Sequence, residues 1–350
     1  MIPLEFEGLV SSDHPAARVG GARIELIPYR DKTHLGSCYQ QVPVRLLPPF
    51  AFEDEPASLL YLINLTAGLL DGDAHLIEVA ARTGTRALVT GQSATRVHPA
   101  VRGFSTQQWS VDVEDDACLI VLPGPVLPYR GCRYHQRARV SLAPGARLIW
   151  GDIWTPGRYL RGELSELFQF ERIVQDFEVR RESRLVYRDR FRWDGPWSVD
   201  DARWHFGGGL VSASLFVTGP LPETTNPPSA LFSRAVFGLE SGDTCVRWCG
   251  DPAAVTADLA ALALGTAGTW TGGAKAPPGF PRGATSLPTI GSPRSTLRPK
   301  PASVRTLSKS SPPRLTGWNA CAPRSPRRRA CPRSRRESRD GTPATSGDAS

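Results

Sequence analysis

Lysine, methionine and long apolar runs are scarce in this chain. Its 350 residues hold one Met, and the only lysine before residue 271 is Lys32. No run of about 18 apolar residues occurs, so a transmembrane helix is not expected. Glu5 and Glu7 lie near the start, with no basic segment leading into an apolar one, so no signal peptide is expected either. The expected location is the cytoplasm. Walker A, dinucleotide-binding and H-E-x-x-H patterns are all missing. Ser93 sits in Gly91-Gln92-Ser93-Ala94-Thr95, which is not the G-x-S-x-G nucleophile elbow. The histidines, His14, His34, His75, His98, His135 and His205, are scattered without metal-site spacing. A lone histidine is more often a surface or satisfied core residue than a ligand. Asp152 and Glu163 could pair as acid and base, but no substrate-binding pattern accompanies them. The chain is therefore expected not to be an enzyme.

The seven cysteines are odd in number and irregular in spacing, which reads as free thiols, several of them buried. Cys245 and Cys249 form C-x-x-x-C without a second ligand pair, so a structural zinc is not expected there.

Charge is distributed unevenly. Residues 271–350 hold 13 Arg and 3 Lys against Glu337, Asp340 and Asp348, a charge of +13. The whole chain is +8, which leaves −5 for residues 1–270. The body is mildly acidic, and a basic nucleic-acid groove on it is poorly supported. The tail also holds 13 of the 32 prolines and shows no apolar period. Such a segment cannot bury enough apolar surface to offset chain entropy. Residues 271–350 therefore read as a disordered tail, or as a GC-rich coding sequence translated out of frame. The folded domain is expected over 1–270.

Within that body, short apolar or alternating runs recur between turn residues. Leu59–Asn64, His75–Ala80, Arg86–Thr90, Trp109–Val113, Cys118–Leu122, Arg139–Leu142 and Arg147–Trp150 are examples. Arg82–Thr85, Glu114–Asp116 and Ala143–Gly145 look like hairpin connections. The expected class is all-β, mostly antiparallel, barrel- or sandwich-like, with one or two short helices. Asp251-Pro252 before the Ala/Leu-rich Ala253–Leu264, closed by Gly265, is the clearest helix.

Four segments carry a further signal. They are Asn64-Leu65-Thr66-Ala67-Gly68-Leu69-Leu70-Asp71-Gly72-Asp73, Val89–Val97, Leu122-Pro123-Gly124-Pro125-Val126-Leu127-Pro128-Tyr129-Arg130-Gly131, and Gly145–Trp150 continuing through Gly157-Arg158 and Arg161-Gly162-Glu163 to Arg172. In this order they resemble the motifs of the UreD (also called UreH) family of urease accessory proteins. Leu65, Ala67 and Asp71 depart from the family pattern. Gly68, Gly72 and Asp73 also suit a tight reversal, and Pro123, Pro125 and Pro128 suit an extended edge segment. Arg158 and Arg161 can clamp carboxylates bidentately, within the chain or on a partner.

The resemblance implies a scaffold that joins UreF and UreG accessory proteins on apo-urease and helps deliver nickel. It implies no tightly bound cofactor, only transient Ni²⁺ in a polar interior route. Acidic and hydroxyl side chains that hold the ion weakly would line it. Asp73, Thr95, Asp152 and Glu163 are the expected route residues. Gly68, Gly72, Pro125, Arg130, Gly157, Arg158 and Arg161 are the expected structural or partner-facing positions. Neither nucleic acid nor membrane is an expected partner. The alternative is a β-rich nucleic-acid-binding protein acting through its basic tail; a β-sandwich hydrolase is a third reading.

Overall fold

The computed structural model describes residues 4–6, 17–51, 56–158, 166–207, 209–222 and 230–270. The expectations for residues 271–350, Arg161, Gly162 and Glu163 lie outside the described residues.

Among the described residues, eighteen strands and two α-helices follow one another in chain order. The first are β1 (Val19–Tyr29), β2 (Lys32–Gln41), β3 (Val44–Leu46), β4 (Phe50–Ala51), β5 (Ser58–Asn64) and β6 (Ala74–Ala81). Next come β7 (Arg86–Gly91), β8 (Thr95–Val97), β9 (Ser105–Val113), β10 (Cys118–Leu122), β11 (Pro125–Pro128) and β12 (Arg133–Leu142). The remainder are β13 (Arg147–Trp154), β14 (Arg172–Arg181), β15 (Arg184–Asp194), α1 (Val199–Phe206), β16 (Val211–Val217), β17 (Phe232–Gly238), β18 (Thr244–Gly250) and α2 (Pro252–Trp270).

The all-β class with two helices holds, but the strand sense differs from the antiparallel expectation. One sheet has the order β15-β14-β12-β9-β6-β1-β2, and the other runs β17-β18-β16-β13-β10-β7-β5-β3. Their centres are parallel. In the first sheet β1, β6, β9, β12 and β14 all run the same way. In the second, β5, β7, β10 and β13 do so. Antiparallel pairs occupy the flanks, as in β1–β2, β14–β15, β13–β16, β16–β18 and β17–β18.

The turns expected to be hairpins explain the difference. Arg82–Thr85 leads from β6 in one sheet to β7 in the other. Glu114–Asp116 and Ala143–Gly145 do the same for β9–β10 and β12–β13. Each turn reverses the chain between layers, and the new strand pairs with one from the previous or next winding. Turn chemistry is the same for both outcomes. Burial on one face or two decides between them.

The second sheet is buried on both faces. Leu119 and Val121 of β10 join the core between the sheets, while Ile120 and Leu122 join a second core. Helix α2 caps that second core with Val255, Leu259, Leu262 and Ala263. Asp251 opens the helix by accepting from the backbone N–H groups of Ala253 and Ala254, both at 3.0 Å. Gly265 was expected to end it, yet the helix continues to Trp270. Burying its apolar face outweighs the roughly 1 kcal/mol that an internal glycine costs.

Candidate functional site

The two ends of the sheet stack are unlike. At one end the sheets are joined by the short turns just described. At the other, strands of the second sheet reach strands of the first through residues 65–73, 92–104, 123–132 and 155–171. The first three motifs and the Gly157-Arg158 part of the fourth lie at this long-loop end.

Backbone geometry there demands particular residues. Gly68 has φ +148°, and a Cβ on it would lie 2.4 Å from the Arg96 carbonyl oxygen. The close approach lets Leu69 N–H donate to that oxygen at 2.8 Å, tying the first motif to the second. Gly72 has φ +84°. Asp71 accepts from the backbone N–H groups of Val101, Arg102 and Gly103 at 2.9, 2.8 and 2.9 Å. Asp73 is buried and accepts from Arg18 N–H and Leu70 N–H, each at 2.9 Å.

Pro125 belongs to β11, which was expected to be an edge segment. It lies between β13 and β8. Pro125 and Pro128 are the first and last residues of the strand, where a missing N–H does least damage to a ladder.

Gly157, at φ +120°, brings the chain against the carbonyls of Glu166 and Pro128. Arg158 then forms a two-pronged ion pair with Glu166 and places its guanidinium 4.4 Å from the Tyr129 ring centroid. The clamp is thus within the chain. Arg158 holds the Glu166 carboxyl below its usual range, and the charge of Arg130 adds to this. Tyr129 packs edge-on to His98 at 4.9 Å, and His98 Nε2 lies 3.2 Å from the Ala67 carbonyl oxygen.

Inside the stack, four polar side chains interrupt an apolar face. His75, Gln107, Gln136 and Gln175 are register partners on β6, β9, β12 and β14. Each shares strand parity with inward core residues: Ile77, Trp109, Ala138 and Phe177 are the next on that face. All four polar residues are buried. They form a ladder across the first sheet.

Asp152 faces this ladder from β13 of the second sheet. It is buried, 2% exposed. It accepts from Gln136 Nε2 at 2.7 Å, Trp150 Nε1 at 2.7 Å and Gln175 Nε2 at 3.3 Å. Burial lifts its carboxyl to about 6, against the lowering effect of the Trp150 and Gln136 hydrogen bonds. The carboxylate of Asp189 pushes the same way as burial. Asp189 itself is paired with Arg247 at 2.8 Å. No cation pairs with Asp152 within 4.0 Å among the described residues.

Toward the long-loop end, a cavity of about 620 Å³, its open mouth included, leads in to the ladder. Exposed Gln92, Ser93 and Arg96 stand on its wall, with Thr95 beside them. Buried His75, Gln107 and Trp109 also line it. Among the described residues, His75 Nε2, Gln107 Oε1 and Trp109 Nε1 have no hydrogen-bond partner. Burial pulls the His75 imidazole down to about 4, with Asp73 opposing, so it is neutral at physiological pH. No cluster of three or more His, Cys, Asp or Glu side chains that could hold a metal exists among the described residues.

The expected site residues separate accordingly. Thr95 lines the cavity and Asp152 anchors the ladder. Asp73 stands two residues before His75, with one carboxylate oxygen closing a turn on Leu70 N–H and the other accepting from Arg18 N–H. Sequence reasoning missed His75, Gln107, Gln136, Gln175 and Glu166. The available signal was a polar residue where strand alternation calls for an apolar one.

Comparison with known proteins agrees with this architecture of motifs. The family model described as UreD urease accessory protein matches residues 18–277. Urease accessory protein UreD 2 of Synechococcus sp. (strain JA-3-3Ab) is 32% identical over 198 residues, 54% of this chain and 70% of the relative. UreD of Lysinibacillus sphaericus (strain C3-41) is 27% identical over 200 residues, 57% of this chain and 74% of the relative. UreD 2 of Streptomyces griseus subsp. griseus is 28% identical over 249 residues, 67% of this chain and 81% of the relative. With a family-model match spanning most of its length, the chain belongs to the UreD family of urease accessory proteins.

Proposed function

We propose that this chain is a non-catalytic urease maturation factor. In this reading it is a scaffold that joins UreF- and UreG-type proteins on apo-urease and offers Ni²⁺ a polar interior passage. GTP hydrolysis falls to the UreG-type partner, since this chain has no Walker A loop. The cytoplasm is the proposed site of action, in keeping with the free thiols of Cys38, Cys118, Cys132, Cys245 and Cys249.

One observation carries the passage. Asp152 is a buried carboxylate that receives three neutral hydrogen bonds and no direct cation among the described residues. An unpaired buried charge costs several kcal/mol. A divalent cation arriving beside it would offset that cost. Amide oxygens of Gln107 and Gln175 lie unpartnered on the same inner face. Neutral oxygens and a single carboxylate hold Ni²⁺ weakly, which is what a passage needs and a storage site does not.

Reconstitution tests this reading. Apo-urease, UreF, UreG, GTP, bicarbonate and Ni²⁺ are combined with and without the full chain, and the nickel bound to re-isolated urease is measured. Nickel should accumulate in urease only when the chain is present. Equal nickel without it would overturn the proposal.

A further inference from the structure

We propose that His75 and Gln107 form a two-donor station for a first-row divalent cation, at the point where the ion leaves the cavity mouth for the buried ladder. This rests on the passage proposed above and adds to it an imidazole ligand that none of the four motifs contains.

Three features converge on this pair. The first is placement. His75 and Gln107 are direct register partners on neighbouring parallel strands, so both side chains leave the same face of the sheet. The second is access. Both line the cavity whose wall carries exposed Gln92 and Ser93, yet each is more than nine-tenths buried. The third is unmet bonding. His75 Nε2 and Gln107 Oε1 have no partner, although a buried polar atom left unmade costs about 1–3 kcal/mol.

The chemistry of the pair selects its ligand. A neutral imidazole protonated at Nδ1 presents a lone pair at Nε2, and the amide oxygen is acceptor-only. Two such acceptors, themselves shielded from solvent on side chains that line one cavity, suit a Lewis acid. Imidazole favours nickel, copper, zinc and iron over magnesium and calcium, so the station prefers borderline transition ions. Water fills the remaining coordination positions, and Trp109 Nε1–H, also unpartnered, can anchor cavity water. Two protein ligands fall short of a closed site, so the ion is held and then released. Among the described residues, Arg96 is the only charged side chain on the cavity lining. It is exposed, where solvent and salt screen it.

The sequence of donors then has a direction. Nitrogen and amide oxygen at the cavity come first; Gln136 follows on the next strand, and the carboxylate of Asp152 faces it from the opposite sheet. Negative charge enters only at this last step.

The test uses the full chain with its accessory partners, labelled with ¹⁵N-histidine and titrated with Ni²⁺ alone. One imidazole resonance should broaden at low Ni²⁺, and this response should vanish in His75→Leu and His75→Gln. Nickel transfer to urease should fall several-fold in both variants. His75→Gln keeps the site polar, so it carries the test if His75→Leu does not fold. An unchanged histidine response and an unchanged transfer rate would overturn the station. Its failure is distinguishable from failure of the passage. If Asp152→Asn lowers transfer while the His75 variants do not, the passage stands and the station falls. If none of the three lowers it, the passage falls as well.

Discussion

Gln136 donates to Asp152 across the gap between the two sheets at 2.7 Å, the shortest link between the polar ladder and the carboxylate that faces it. Tyr134 adds a hydroxyl donor to the far oxygen of Gln136 at 3.3 Å. Gln136→Leu keeps the volume and removes both bonds. It leaves a buried carboxylate with one good donor fewer, and the expected cost is about 1–3 kcal/mol. Denaturant unfolding of the variant checks this. The Asp152 carboxyl should also rise further above 6, since a bond that lowers it is gone.

His135 gives the fold a pH dependence of defined sign. Burial beside Phe6 pulls its imidazole from 6.5 to about 4, and its Nδ1 has no partner. The unfolded chain takes up this proton near 6.5, and the folded chain does so only near 4. In that window the unfolded state holds more protons, so stability falls as the pH drops. Below about 4 the loss levels off. The full effect is on the order of 2 to 3 kcal/mol. His135→Leu should flatten the stability profile between pH 7 and 4, measured by denaturant midpoints. His75 adds a loss of the same sign, which the single variant retains.

Glycine substitutions should separate the two ends of the stack. A Cβ at Gly68 would lie 2.4 Å from a backbone oxygen, whereas one at Gly84 meets nothing within 4 Å. Both residues have positive φ. Gly84→Ala should cost about 1 kcal/mol for backbone conformation alone. Gly68→Ala must also move the second motif, so about 3 kcal/mol or more is expected. Thermal unfolding of the two variants gives the comparison.

The strands were legible because their apolar runs and alternation are local. Their pairing sense was not. Gly84 and Asp116 allow a tight reversal whether the next strand returns beside its predecessor or crosses to another layer. The usable sign was Cys118–Leu122, five consecutive buried residues, which fits a strand covered on both faces. Helix α1 was missed because it is only eight residues long, although Ser198 and Asp201 form a capping box. Asp152 and Thr95 were singled out through their motifs, and they lie at the ladder and on the cavity lining. The ladder was not, because His75, Gln107, Gln136 and Gln175 are roughly thirty to forty residues apart and meet only through parallel register.

The most direct test of the passage is the nickel content of urease per assembled accessory complex for Asp152→Asn. Asparagine retains the shape and the acceptor for Trp150, and its amide N–H can donate to Gln136 once that side-chain amide turns its oxygen inward, so folding and assembly should persist. It removes only the charge. If Asp152 draws the ion through the core, nickel per complex should fall several-fold at neutral pH, with assembly unchanged. Nickel per complex equal to that of the unaltered chain would contradict the account: Asp152 would then be a structural hydrogen-bond acceptor and nothing more.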